Sequence, residues 1–155
     1  MKKTLIPFIS ILLFLFLTNR SNAQEKILTH KDSLNAILKE YYDLNLKIFQ
    51  TGSKVEDIDD LFSLFTEDFI YVHPKYGGNY SREDLYNGYK NNQSNGRYNG
   101  KIADIKIENK IVGLNAIVVE RRFVKKTGDE MNEGEVQMTL FEFKEGKISR
   151  IMEYW

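Results

Sequence analysis

Apolar residues Leu34, Ile37, Leu38, Tyr41, Leu44, Ile48 and Phe49 recur every three or four positions, the period of one helix face. They predict a helix over about 26–50, which Thr51-Gly52 brings to an end because glycine accepts the left-handed turn after a last helical residue. Ser53-Lys54-Val55-Glu56 has the spacing of a capping box, and Val55, Ile58, Leu61, Phe62 and Phe65 form the stripe of a second helix behind it. Asp57, Asp59 and Asp60 crowd its first turn, where the helix dipole favours negative charge; this solvated first turn explains them better than a metal site does. A short strand over 68–73 leads through a Pro74–Asn79 turn to a second capping signal, Ser81-Arg82-Glu83-Asp84. A third helix over about 82–92 follows. From there the pattern changes to alternation, with strands at about 101–109, 115–126, 132–144 and 147–155. Hairpin turns are signalled at Thr127–Glu130 and Lys144–Lys147. Early helices followed by antiparallel strands predict an α+β fold, with helices packed on one face of a curved sheet.

Two-residue turns at Gly128-Asp129 and Glu145-Gly146 fix an expected register. Ile151 then faces Leu140, Glu153 faces Met138 and Trp155 faces Val136; across the other side Val119 faces Met138 and Arg121 faces Val136. One sheet face would read Ile117, Val119, Arg121, Phe123, Val136, Met138, Leu140, Ile151, Glu153 and Trp155. Thr139 and Phe141 would fall on the opposite, more polar face. A slip of one residue at either turn would exchange the faces of the affected strand.

Arg121 and Glu153 are the two charges on that otherwise apolar face. A carboxylate among apolar groups is costly unless paired or protonated, and desolvation and a neighbouring guanidinium push its pKa in opposite directions. The pair is either a proton-transfer site or a structural ion pair at the rim of the sheet, covered by Trp155. His73, at the end of an apolar strand before Pro74, is either a pocket group able to exchange a proton near neutral pH or a strand-end histidine bonded to a loop carbonyl. His73 with Glu153 is too small a set for a metal. His30 receives no role.

The N-terminus changes the picture of the compartment. Lys2 and Lys3 precede an apolar run from Leu5 to Leu17, and Ser21-Asn22-Ala23 presents small residues for cleavage. This is the pattern of a secretory signal over 1–23, cleaved after Ala23, and its apolar run is shorter than the ~20 residues a membrane span needs. The remaining 24–155 is 132 residues, a single domain. The product is expected to be exported, periplasmic or secreted, with no membrane span. The whole chain has 22 basic and 22 acidic residues; without the leader 19 basic face 22 acidic, a net charge of −3 with no long basic run. Nucleic acid is therefore not an expected partner. With no cysteine, neither disulfides nor a lipid-bearing cysteine can form.

The element order and the stretches "LFSLFTEDFIYVHP", "YSREDLYNGY", "VVERRFV" and "GKISRIMEYW" resemble the NTF2-like superfamily, in its SnoaL-like, DUF4440-type and ketosteroid isomerase-like group. The resemblance spans about 30–155. It implies an NTF2-like cone: three N-terminal helices packed on a strongly curved, mainly antiparallel sheet around a deep pocket, often as a homodimer through the outer sheet face. Members include cofactor-free isomerases, cyclases and dehydratases as well as proteins without known activity. The limonene epoxide hydrolase branch is similar in more detail. It implies Tyr71 and His73 as pocket residues, Arg121 as the pocket arginine and Glu153 as one catalytic carboxylate. That branch's second carboxylate falls at Phe123, so its water-holding set is incomplete and epoxide hydrolysis is disfavoured.

The expected site thus comprises His73, Arg121 and Glu153 as acid/base groups, with Tyr71, Phe123, Met138, Ile151 and Trp155 against a small hydrophobic or aromatic molecule, and with no metal or cofactor. Three functions remain open on the sequence: acid/base catalysis, non-catalytic binding of a small ligand, and a dimeric interaction module whose cone is filled by its own side chains.

Overall fold

The computed structural model describes residues 30–155. The expected signal over 1–23, its cleavage after Ala23 and the first residues of the first helix lie outside these residues. Helix α1 occupies 30–48 of the described chain. It is followed by α2 (Val55–Ser63), β1 (Phe65–His73), a single 3-10 turn (Pro74–Tyr76), β2 (Gly78–Ser81) and α3 (Arg82–Ser94). Five strands complete the chain: β3 (Ile102–Val112), β4 (Ala116–Thr127), β5 (Glu130–Glu133), β6 (Gln137–Lys144) and β7 (Lys147–Glu153). The third helix comes after β1 and β2, so the helices do not all precede the sheet. Among the described residues no helix is long and apolar enough to cross a membrane.

The helix starts have local causes. Ser81 caps α3: its Oγ accepts from Asp84 N–H at 3.1 Å and its N–H donates to Asp84 Oδ2 at 3.0 Å. The start of α2 lies one residue later than the expected box. Lys54 is the N-cap, its N–H donates to Asp57 Oδ2 at 2.7 Å, and Lys47 Nζ of α1 reaches Asp57 Oδ1 at 2.6 Å. Asp57 is therefore not a solvated first-turn acid. It is a nearly buried clamp between α1 and α2.

The strands form one mixed sheet in the order β2-β1-β7-β6-β4-β3, with β5 also on β4. All neighbours are antiparallel except β1 and β7, which run parallel with Tyr71 beside Ile151 and Val72 beside Met152. β2 was read in the sequence as part of a turn; it is a four-residue edge strand against β1.

Both expected hairpin turns are present, yet the middle strand is reversed. Thr127 pairs with Glu130 and Val124 with Glu133, as a two-residue turn requires. One extra residue is then taken up at Gly134–Val136, where Gly134 N–H donates to Phe123 O, and the next pairs are Arg121 with Gln137 and Val119 with Thr139. At the other hairpin Lys144 pairs with Lys147 and Phe143 with Ile148, but Ser149 is skipped and Glu142 pairs with Arg150. Each irregularity shifts the register by one, which exchanges the faces of a strand. Both act on β6, so β4 and β7 still agree with each other while β6 turns over. Thr139 and Phe141 are fully buried on the inner face, and Met138 is 39% exposed on the outer one. The expected inward positions of Val136, Met138 and Leu140 are corrected accordingly.

The core lies between α1, α2 and the inner sheet face. Leu38 and Ile48, Ile58 and Phe62, Phe65 and Phe69, Ile117, Phe141 and Ile151 are all buried there. Phe65 and Phe69 stack at 4.1 Å, an approach allowed by an irregularity in β1 between Phe65 and Ile70. Complete burial of such side chains contributes roughly 1.5–3 kcal/mol each.

Candidate functional site

Arg121 on β4 and Glu153 at the end of β7 meet across β6. Arg121 Nη2 lies 3.5 Å from Glu153 Oε1, and both side chains are almost fully buried. The remaining hydrogen bonds divide the two carboxylate oxygens. Thr139 Oγ1 and Trp155 Nε1 each donate to Oε2 at 2.6 Å, whereas Oε1 has only the 3.5 Å guanidinium and the Tyr71 hydroxyl at 3.4 Å. Arg121 is oriented by Gln137, whose Oε1 accepts from Nη1 at 2.5 Å, and its plane lies 4.4 Å from the centre of the Phe123 ring.

These groups line a cavity of about 180 Å³. Its walls are aromatic: Tyr41, Tyr42 and Phe49 from α1, Tyr71 from β1, Tyr89 from α3, Phe123 from β4, and Trp155. Asn45 lies among them; its Oδ1 accepts from the Tyr89 hydroxyl at 2.7 Å, and its amide donates to Tyr41 O. The Tyr42 hydroxyl is buried with no hydrogen-bond partner among the described residues. Burial pushes the phenols of Tyr41, Tyr42, Tyr71 and Tyr89 upward, and the Glu153 charge adds to the rise. They are therefore protonated at neutral pH and serve as hydrogen-bond donors rather than bases. The volume is comparable with the ~150 Å³ apolar cavity that holds one benzene, so a single-ring compound fits.

His73 is 3% exposed and does not share this chamber. The indole of Trp155 packs edge-on against it at 4.6 Å, and Tyr76 lies 4.4 Å away on the 3-10 turn. Trp155 and Tyr71 line both the Glu153 chamber and the cavity beside His73, whereas Glu153 lines only the first and His73 only the second. Ile151 faces inward but is wholly in the core, and Met138 is on the outer face. Tyr71, Phe123 and Trp155 line the chamber beside Arg121 and Glu153. The uninterrupted register put Thr139 on the wrong face and gave no hint of Gln137 beside Arg121; the glycine in "NEGEV" was the available sign of a bulge. His30 touches Leu114 O through Nε2 at 2.7 Å, a surface contact. No group of three or more His, Asp or Glu side chains among the described residues is placed to hold a metal ion.

Comparison with solved structures decides the fold. A protein from Anabaena variabilis described as NTF2-like superposes with a TM-score of 0.55 at 16% identity, over 79% of this chain and 89% of that one. The chain has the NTF2-like fold. Within that fold it is also similar to a putative ketosteroid isomerase from Kribbella flavida (TM-score 0.53, 16% identity, 80% and 78% covered). A putative polyketide cyclase from Xanthomonas campestris is comparably similar (TM-score 0.52, 13% identity, 81% and 92% covered). No protein-family model matches the chain, and no curated protein matches it. Identities this low carry the fold and leave the chemistry to the residues of the site itself.

Proposed function

We propose that the chain is a cofactor-free proton-transfer enzyme acting on a small, single-ring or similarly compact carbonyl compound. The observation that carries this reading is the asymmetry of Glu153: Oε2 is held by Thr139 and Trp155, while Oε1 has only long contacts beside the cavity. Oε1 takes the proton from the carbon next to the carbonyl. The electrons of that C–H bond move to the carbonyl oxygen, where Arg121 and a tyrosine hydroxyl stabilise the developing negative charge. Return of the proton from Glu153 to another carbon completes an isomerisation; alternatively the enolate electrons expel a β-hydroxyl, which takes that proton and leaves as water, completing a dehydration and restoring the carboxylate. The isomerase-like and cyclase-like descriptions of the structural neighbours support this class without naming a substrate.

The test is hydrogen–deuterium exchange at the α-carbon of a panel of small cyclic ketones in D₂O, followed by NMR. Wild type should accelerate exchange for at least one member, and Glu153→Gln should abolish the acceleration. No acceleration across the panel while a member binds would replace this reading with the second one, a non-catalytic binding protein. That second reading is favoured by the fact that Arg121 and Glu153 already satisfy each other and their neighbours within the chain.

The leader pattern at 1–23 supports export of this activity from the cytoplasm. Self-association belongs to the outer sheet face. There the register aligns Ile111, Val118, Leu140, Met152 and Val72 in one apolar row across five strands, with Ile111 68% exposed. Such a row supports a homodimer.

A further inference from the structure

The cavity beside His73 has a chemistry unlike that of the Glu153 chamber. It has a volume of about 330 Å³ and is walled by Tyr71, His73, Tyr76, Tyr80, Tyr89 and Trp155. The rings meet steeply rather than in stacks: His73 to Tyr76 at 56°, His73 to Trp155 at 75°, Tyr76 to Trp155 at 76°. These are edge-to-face and tilted contacts, so the rings pack against one another as adjoining walls of the cavity. Among the described residues Asp84 is the only charged side chain in its walls, with no lysine or arginine lining the cavity. Ser81, through both its hydroxyl and its N–H, holds Asp84 below the usual carboxylate range, so this group is negative at neutral pH. In the Glu153 chamber, by contrast, the carboxylate is matched by Arg121.

The chain itself shows the attraction of this wall for a cation: Lys75 Nζ, outside the cavity, sits 5.7 Å from the centre of the Tyr76 ring.

We propose that this aromatic box is a second binding site, which takes an organic cation carrying a methylated ammonium group. The rings surround the methyl groups, whose positive charge is spread over their surface, and Asp84 at the rim supplies the opposite charge. This site does not depend on proton transfer at Glu153: Tyr71, Tyr89 and Trp155 line both cavities, but the test turns on Tyr76 and Asp84, which line only this one.

The experiment is a titration of the full mature chain with choline and with its uncharged carbon isostere, 3,3-dimethylbutan-1-ol. Trp155 is the single tryptophan of the chain and its fluorescence responds to occupancy; because it lines the Glu153 chamber as well, the substitutions at Tyr76 and Asp84, which line the box alone, assign the response to the box. Choline should bind about tenfold more tightly than the isostere. Tyr76→Leu and Asp84→Asn should each weaken choline several-fold and leave the isostere nearly unchanged. Tyr76 is largely exposed, and asparagine can still accept from Ser81 N–H, so neither change threatens the fold. Equal binding of the two probes, choline binding indifferent to both substitutions, or no response to choline would each overturn the proposal.

Discussion

Thr139 donates its hydroxyl to Glu153 Oε2 at 2.6 Å, directly across the β6–β7 ladder where the two residues are paired. The contact exists because Ser149 is skipped in that ladder. Without the skip Glu153 would stand opposite Met138, and the buried carboxylate would have a thioether where it now has a hydroxyl.

Thr139→Val keeps the shape of the side chain and removes the donor. A hydrogen bond to a charged group contributes about 1.5–3 kcal/mol. The valine variant should lose a stability of that order in urea unfolding at neutral pH, and Thr139→Ser should recover most of it. Equal stability of the valine variant and wild type would mean that the carboxylate does not rely on Thr139.

The reversal of β6 has its own test. Phe141 is fully buried and Met138 is not. Phe141→Ala should cost about 3–5 kcal/mol and Met138→Ala less than about 1 kcal/mol. The uninterrupted register, with Met138 inside, predicts the opposite ranking.

Acid should act through Asp57. Its hydrogen bond with Lys47, and secondarily the Lys54 N–H, hold its carboxyl below the usual carboxylate range. A group with a lowered folded pKa contributes stability above its unfolded value, about 3.9, and loses it as pH falls through the folded value. Between about pH 5 and pH 2, Asp57→Asn should therefore show a shallower loss of stability than wild type. At neutral pH it should be less stable by about 1 kcal/mol, the scale of a lost cap. Parallel stability–pH curves for the two proteins would remove Asp57 from the account.

Leu140→Glu should dissociate the proposed dimer, because it places a charge in the middle of the row Ile111–Val118–Leu140–Met152. Light scattering after gel filtration should give the monomer mass for the variant and twice that for wild type. A wild-type monomer would retire the dimer proposal.

What the sequence determined by itself was local. The helices under Leu34–Phe49 and Val55–Phe62, the Ser81–Asp84 cap and the two hairpin turns are set by neighbours within a few residues, and within the described residues each is found where the pattern places it or within a residue or two; Phe65, expected on the second helix, instead opens β1. Arg121 and Glu153 could be put on one face because β4 and β7 each carry their alternation toward the same core. Tertiary structure alone decided the rest. The parallel pairing of β1 with β7 joins segments some eighty residues apart and leaves no mark on either. The bulges at Gly134–Val136 and Ser149 are single-residue choices, settled by whether Thr139 and Phe141 or Met138 and Leu140 better fill the space under α1. Because a strand has a period of two, those two residues decide what surrounds Glu153. Likewise, that Trp155 comes between His73 and Glu153, and so makes two cavities out of one expected pocket, depends on how rings from β1, the 3-10 turn and the end of β7 pack against one another.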